Sequence, residues 1–271
     1  MYVSAPASTE ALWAYLANKL QEAGVVDVPA ALVWPQQLHA HWKDPALLLS
    51  QACGYPLVTE LQQQVQVLGA FHYNAAGCSG VMCRSVLIAR AGDCDGDGDG
   101  GGGEGYGACE LSAFRGRTVA YNSADSQSGY NALRAELAPM AHKGRFFGER
   151  RVSGSHRASV EMVRDGQADI AAIDCVSLAG FHRHAPEVMQ GIQVIGYSKP
   201  YPGLPLIASS ATPAVTVAKL RAVLADASQD ATCSTLLQDL FIVGFSPLDF
   251  DDYKVCLDMR DAAIALGYQD L

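Results

Sequence analysis

Residues 121–130 read Tyr121-Asn122-Ser123-Ala124-Asp125-Ser126-Gln127-Ser128-Gly129-Tyr130, and their reading decides the fold. The preceding RGRTVAY (115–121) has the branched and aromatic content of a strand. Hydroxyl and amide residues then crowd a turn, and a helix opens near Ser128–Gly129. A strand feeding directly into a helix mouth is the βα unit of an α/β protein. Open α/β sheets bind ligands at the carboxyl ends of their strands. The first-turn N–H groups and the positive end of the helix dipole favour an anion there. Ser126 and Ser128 add hydroxyl donors, and Gly129 permits close approach to the backbone. The plainer alternative is an N-cap with a polar loop.

The same pattern recurs downstream. Ser153-Gly154-Ser155-His156-Arg157-Ala158-Ser159 leads into a second helix, with Ser155 or His156 at its mouth and Ser159 in its first turn. Arg157 offers itself as charge partner for an oxyanion, or points to solvent. Asp174 follows the apolar strand DIAAI (169–173), where a carboxylate either accepts a hydrogen bond from a protonated ligand or caps the next helix. Further strands are expected at 65–73, 84–90 and 192–197, with helices at 9–23 (Thr9 as N-cap), 57–64, 176–184, 214–227, 230–240 and 258–266. Alternating strands and helices predict an α/β fold with two mostly parallel sheets flanked by helices.

The totals exclude several classes of function. The 271 residues carry a formal net charge of −9, opposite to the basic surface that nucleic acids and anionic membranes recruit. No run approaches the roughly 20 apolar residues of a membrane helix. The start, MYVSAPASTEALWAYL, shows no basic and apolar secretory leader. Motifs of nucleotide, zinc-protease and serine-hydrolase chemistry are missing, so no cofactor and no catalytic residue is expected. CSGVMC (78–83) has no base placed to activate a cysteine.

Of the eight cysteines, Cys78 and Cys83 are the one close pair, spaced C-x4-C. That spacing leaves open a bridge or two buried thiols. The tract from Asp93 to Gly107 fits the calcium pattern D-x-D-x-D-G-x5-E through Glu104. An Asp/Gly tract matches it by composition alone, and the strand in front of it is not the helix that a calcium loop needs. It reads as a flexible, solvated insertion at 93–107, with no metal site.

Taken in order, LLLSQACGYPL (47–57), NSADSQSGYNALR (122–134), GRFFGERRVSGSHRAS (144–159), ADIAAIDCVS (168–177) and PGLPLIAS (202–209) resemble the phosphate/phosphonate-type substrate-binding proteins of ABC transporters, within the type II periplasmic-binding fold. The resemblance implies two α/β lobes, residues 1–87 with 195–271 and residues 88–194, joined by a hinge that the chain crosses twice. It implies capture of a small oxyanion-bearing ligand (phosphate, phosphite or phosphonate) between the lobes, by a monomer, with an ABC transporter permease as candidate partner. Ser126, Gln127, Ser128, Gly129, His156 and Asp174 carry over to the ligand from one lobe, and Tyr55 from the other; Ser155 and Ser159 join them as candidate ligand residues from their place at the second helix mouth. SQSG stands where the family more usually has a serine/threonine tract, so a sulfonate or thiamine-like pyrimidine stays open as ligand, as do a sensor or an enzyme on the same fold. The resemblance implies a periplasmic or other extracytoplasmic location, while the unseen leader keeps the cytoplasm open. The chain starts at what resembles the end of the family's first strand, so that strand is expected to be missing or altered.

Overall fold

The computed structural model describes residues 5–93 and 110–271. The proposed calcium pattern and most of the 93–107 insertion lie outside the described residues. The chain divides into two compact units, residues 1–83 with 201–254 and residues 84–200 with 255–271.

In the first unit, helix α1 (Pro6–Glu22) buries Leu12, Leu16 and Leu20 on one face, the spacing of an amphipathic helix. It begins earlier than Thr9, whose hydroxyl instead donates to the Ala5 carbonyl at 2.9 Å from inside the helix. Helices α2 (Leu38–Trp42) and α3 (Gly54–Glu60) follow, α3 starting three residues before the expected 57. The sheet has the order β1 (Ser50–Gln51), β10 (Leu206–Ser209), β2 (Val65–Tyr73), β11 (Ile242–Ser246). Helices α7 (Ala214–Ala227) and α8 (Ser234–Asp239) pack on α1 and β11. A two-stranded ribbon pairs β3 (Met82–Cys83) with β9 (Tyr201–Pro202).

The second unit holds five strands in the order β6 (Glu149–Val152), β5 (Thr118–Tyr121), β7 (Ile170–Asp174), β4 (Ser85–Arg90), β8 (Ile192–Tyr197). Helices α4 (Ala132–Leu137), α5 (His156–Arg164) and α6 (Cys175–His184) connect them.

The α/β class is as expected, but the direction of pairing is not. Every described pairing in the first sheet is antiparallel. In the second, β5 runs parallel to β6 and β7, whereas β4 runs antiparallel to β7 and β8. Hydrophobic pattern sets the type of an element. The direction in which a strand joins its neighbour depends on where the chain re-enters the sheet, which a local pattern does not encode.

The C-terminus is the second correction. Residues 195–271 were expected in the first lobe, but helix α9 (Lys254–Ala265) and the tail join the second unit, so the chain passes between units three times, not twice. The cause is apolar burial. Ala263, Tyr268 and Leu271 lie in one cluster with Val119, Tyr130, Leu133, Phe146 and Ile170. Tyr268 is fully buried, and its hydroxyl has no hydrogen-bond partner among the described residues. Burial accordingly pushes its pKa well above the usual phenol range.

Two substitutions separate packing from the polar atom. Tyr268→Ala is expected to cost about 3–5 kcal/mol of stability, as for a large buried aromatic. Tyr268→Phe, which deletes only a buried unsatisfied hydroxyl, is expected to be neutral or stabilising. Urea unfolding checks both.

Candidate functional site

Parallel β6, β5 and β7 lie side by side, so their carboxyl ends reach the same edge of the second sheet. Each leads toward a capped helical turn. After β5, the Ser126 hydroxyl accepts from the Gly129 N–H at 3.0 Å. After β6, the Ser155 hydroxyl accepts from the Ala158 N–H at 3.1 Å. After β7, Asp174 Oδ1 accepts from the N–H groups of Val176 and Ser177, both at 2.9 Å. The exits of β5 and β6 are stitched together by Ser153 N–H to the Tyr121 carbonyl (2.8 Å) and Gly154 N–H to the Asn122 carbonyl (3.1 Å).

The turn after β5 is a π turn, Gln127–Asn131, in which the Asn131 N–H donates to the Ser126 carbonyl at 2.9 Å. One extra residue in the turn rotates the side chains relative to an α-helix, a device often found at functional sites. Its effect is concrete. Gln127, expected at the ligand, is buried and directed into the protein, where its Oε1 accepts from Asn131 Nδ2 (2.8 Å) and its Nε2 meets Met259 Sδ of α9 (3.3 Å). Asn131 Nδ2 also donates to the Cys256 carbonyl (2.8 Å), and Arg134 joins Asn131 Oδ1 (2.7 Å) to the Gln269 carbonyl (2.7 Å). The π turn is thus tied from behind to the C-terminal segment.

Ser128 faces a different way. Its Oγ lies 2.9 Å from His156 Nε2 in the first turn of α5, and its carbonyl accepts from the Ser85 hydroxyl at 2.7 Å. Between them sits Gly129. A Cβ at that position would fall 1.9 Å from Asn122 Oδ1 and 3.3 Å from His156 Cε1, so any larger residue must displace the Asn122 side chain. Asn122 Oδ1 and His156 Nδ1 are both buried and without a hydrogen-bond partner among the described residues. Buried polar atoms of this kind call for an explanation, and two of them surround one glycine. Asn122 was not singled out in the sequence. It is the residue directly after Tyr121 at the strand end, which is the available signal.

The remaining expected residues fall as follows. Ser159 is fully buried, with its Oγ 2.7 Å from Ser153 Oγ, so it braces the turn. Ser155 is exposed and caps its own helix. Arg157 pairs with Glu161 (3.0 Å) and Glu187 (3.7 Å) on the surface, which leaves the oxyanion reading of Arg157 without support. Tyr55 belongs to the first unit, half-buried in the first turn of α3.

The first unit also contains a cavity of about 680 Å³ lined by Trp13, Leu32, Val33, Trp34, Leu49 and other mostly apolar side chains. It shares none of the polar features above.

A sheet whose strand ends open into serine-capped helical turns, within a two-unit α/β chain, defines a substrate-binding protein of the type II periplasmic-binding class. Residues 4–253 match the family described as ABC transporter, phosphonate, periplasmic substrate-binding protein, and the chain belongs to that family. Among solved structures it is similar to XAC2383 from Xanthomonas citri bound to chloride ion (16% identity, 98% of this chain and 96% of that one, TM-score 0.68). It is also similar to a binding protein component of an ABC phosphonate transporter from Pseudomonas aeruginosa, PA3383 (16%, 95% and 82%, 0.70). A third is PhnD1 from Prochlorococcus marinus in complex with methylphosphonate (13%, 81% and 78%, 0.59). No curated protein matches the chain. Members of this family bind a small ligand and serve a transporter permease. Among the described residues, no helix is long and apolar enough to cross a membrane.

Burial pushes the His156 pKa from 6.5 down to about 4, so the imidazole is neutral at pH 7. The unfolded chain binds a proton near pH 6.5 and the folded one only near 4. Stability from this group is therefore full above pH 6.5 and is lost as pH falls through 4. Relative to His156→Gln, the wild type should lose roughly 2–3 kcal/mol across that interval, read from urea unfolding at stepped pH. A parallel pH dependence in the two proteins contradicts the assignment.

Proposed function

We propose that the second unit's edge formed by Ser126, Ser128, Gly129, Ser155 and His156, with Asn122 and Asp174 beside it, binds a small tetrahedral oxyanion of the phosphate, phosphite or phosphonate type. The observation that carries this is the set around Gly129: the Ser128–His156 hydrogen bond and the two buried unpartnered atoms, Asn122 Oδ1 and His156 Nδ1. Ser128 donates a hydroxyl proton and the first-turn N–H groups add fixed dipoles, while Asn122 Oδ1 accepts. Donors with an adjacent acceptor suit a singly protonated oxyanion. The donors of this set are neutral.

Ser128 and His156 also have the spacing of a nucleophile and its base. Two facts favour binding over catalysis. An imidazole held near a pKa of 4 is a weak base at neutral pH, and among the described residues no third group orients its Nδ1. We read the protein as a capture protein, not an enzyme, acting on the extracytoplasmic side and handing its ligand to an ABC permease. Tyr55 is a second proposed contributor, supported by the resemblance alone. Gln127, being turned inward, is left out.

Ser128→Ala should weaken binding of methylphosphonate or phosphate at least about tenfold, the value of one hydrogen bond to a charged group, at a temperature where the variant remains folded. Because Asp174 caps α6, its alanine variant would confound stability with binding, and Asp174→Asn is the informative change. Isothermal calorimetry reads both, and unaltered affinity in Ser128→Ala refutes the site. A thermal-shift panel in which a sulfonate or a pyrimidine stabilises the fold, and phosphorus oxyanions do not, refutes the ligand class.

A further inference from the structure

We infer that Cys78 and Cys83 form a reversible intrachain dithiol–disulfide couple at the hairpin from which the chain first leaves the first unit. Ser79 and Met82 exchange both backbone hydrogen bonds, at 2.9 and 3.0 Å, across the two-residue turn Gly80–Val81. Gly80 has φ +58°, the left-handed value that a type II′ hairpin requires at its first central position. Antiparallel pairs alternate along a ladder, so the next pair outward, Cys78 opposite Cys83, is a non-hydrogen-bonded one. There Cα atoms approach to about 4.5 Å and side chains lean closest. That separation lies inside the roughly 4.4–6.8 Å range of disulfides. The side chains already follow it, with Sγ atoms 3.5 Å apart.

The two sulfurs have unequal access. Cys78 is partly exposed, whereas Cys83 is buried, and a Cβ on Gly203 would stand 3.2 Å from its Sγ. A glycine at 203 therefore leaves the space the sulfur occupies. The order of events follows from access, with a small disulfide such as glutathione disulfide as oxidant. The Cys78 thiolate attacks one sulfur of the oxidant, forming a mixed disulfide and releasing one thiolate. The Cys83 thiolate then attacks the Cys78 sulfur, forming the Cys78–Cys83 bond and expelling the second thiolate. Two protein thiols lose two electrons and two protons, and one oxidant disulfide becomes two thiols. The bond closes a ring immediately before residue 84, at the first passage between units. Cys83 also pairs with Tyr201, just after the second passage, so the couple staples the ribbon that joins both.

The native protein is equilibrated with mixtures of reduced and oxidised glutathione, its thiols are trapped with N-ethylmaleimide, and peptides are mapped by mass spectrometry. In the oxidising mixtures the tryptic peptide spanning 44–84 should be lighter by two hydrogens and carry no maleimide at Cys78 or Cys83. Dithiothreitol should restore both labels. Oxidation should raise the melting temperature by roughly 2–8 °C, and Cys78→Ser should abolish the rise. Any of three results overturns the inference: both thiols fully labelled in excess oxidant, glutathione held on Cys78 alone, or Cys83 linked to a different cysteine.

Discussion

Three strands of the second sheet run parallel and end on one edge, and the candidate site depends on that constraint. Parallel β6, β5 and β7 bring the mouths of the π turn, α5 and α6 together. A strand reversed in this group would carry its helix mouth to the opposite edge. Only β4 runs against them; β8, antiparallel to β4, shares their direction and ends at the same edge, and β4 fixes the π turn there through Ser85 and the Ser128 carbonyl.

Ser128 and His156 can stay in register only if the π turn does not move, and it is held from behind. Gln127, Asn131 and Arg134 bind the turn and α4 to Met259, Cys256 and Gln269, while Tyr268 and Leu271 complete the apolar cluster under it. The C-terminal segment thus holds the candidate site's turn in place from behind. Buried polar networks of this kind rigidify when their members are satisfied. Gly129 supplies the complementary condition, since the space a Cβ would need is taken by Asn122.

Much of this was legible from residues alone because it is local. A strand ending in NSADSQSG, a helix opening at SGSH and an aspartate after DIAAI each announce a strand-to-helix transition within about ten residues, and the structure has all three. What escaped is what depends on distant partners. The inward turn of Gln127 follows from one extra residue in a π turn and from α9 packing behind it. Membership of α9 in the second unit follows from which apolar face it meets, and an amphipathic stripe does not name its partner. Strand direction in the first sheet escaped for the same reason. Arg157 was left open between an anion and solvent, although its nearer partner, Glu161, stands one helical turn on. Asn122 escaped because nothing in a sequence marks an acceptor as unsatisfied.

The central claim is that a small phosphorus oxyanion binds at the Gly129 edge of the second unit. The most direct measurement is a titration of the isotope-labelled protein with methylphosphonate, followed by amide and imidazole nitrogen resonances. The account predicts the largest shifts at the Ser128, Gly129 and His156 amides and at His156 Nε2, with Gln127 Nε2 little moved. Shifts concentrated instead at Trp13, Val33 and Trp34, around the apolar cavity of the first unit, or no shifts at saturating ligand, would contradict it.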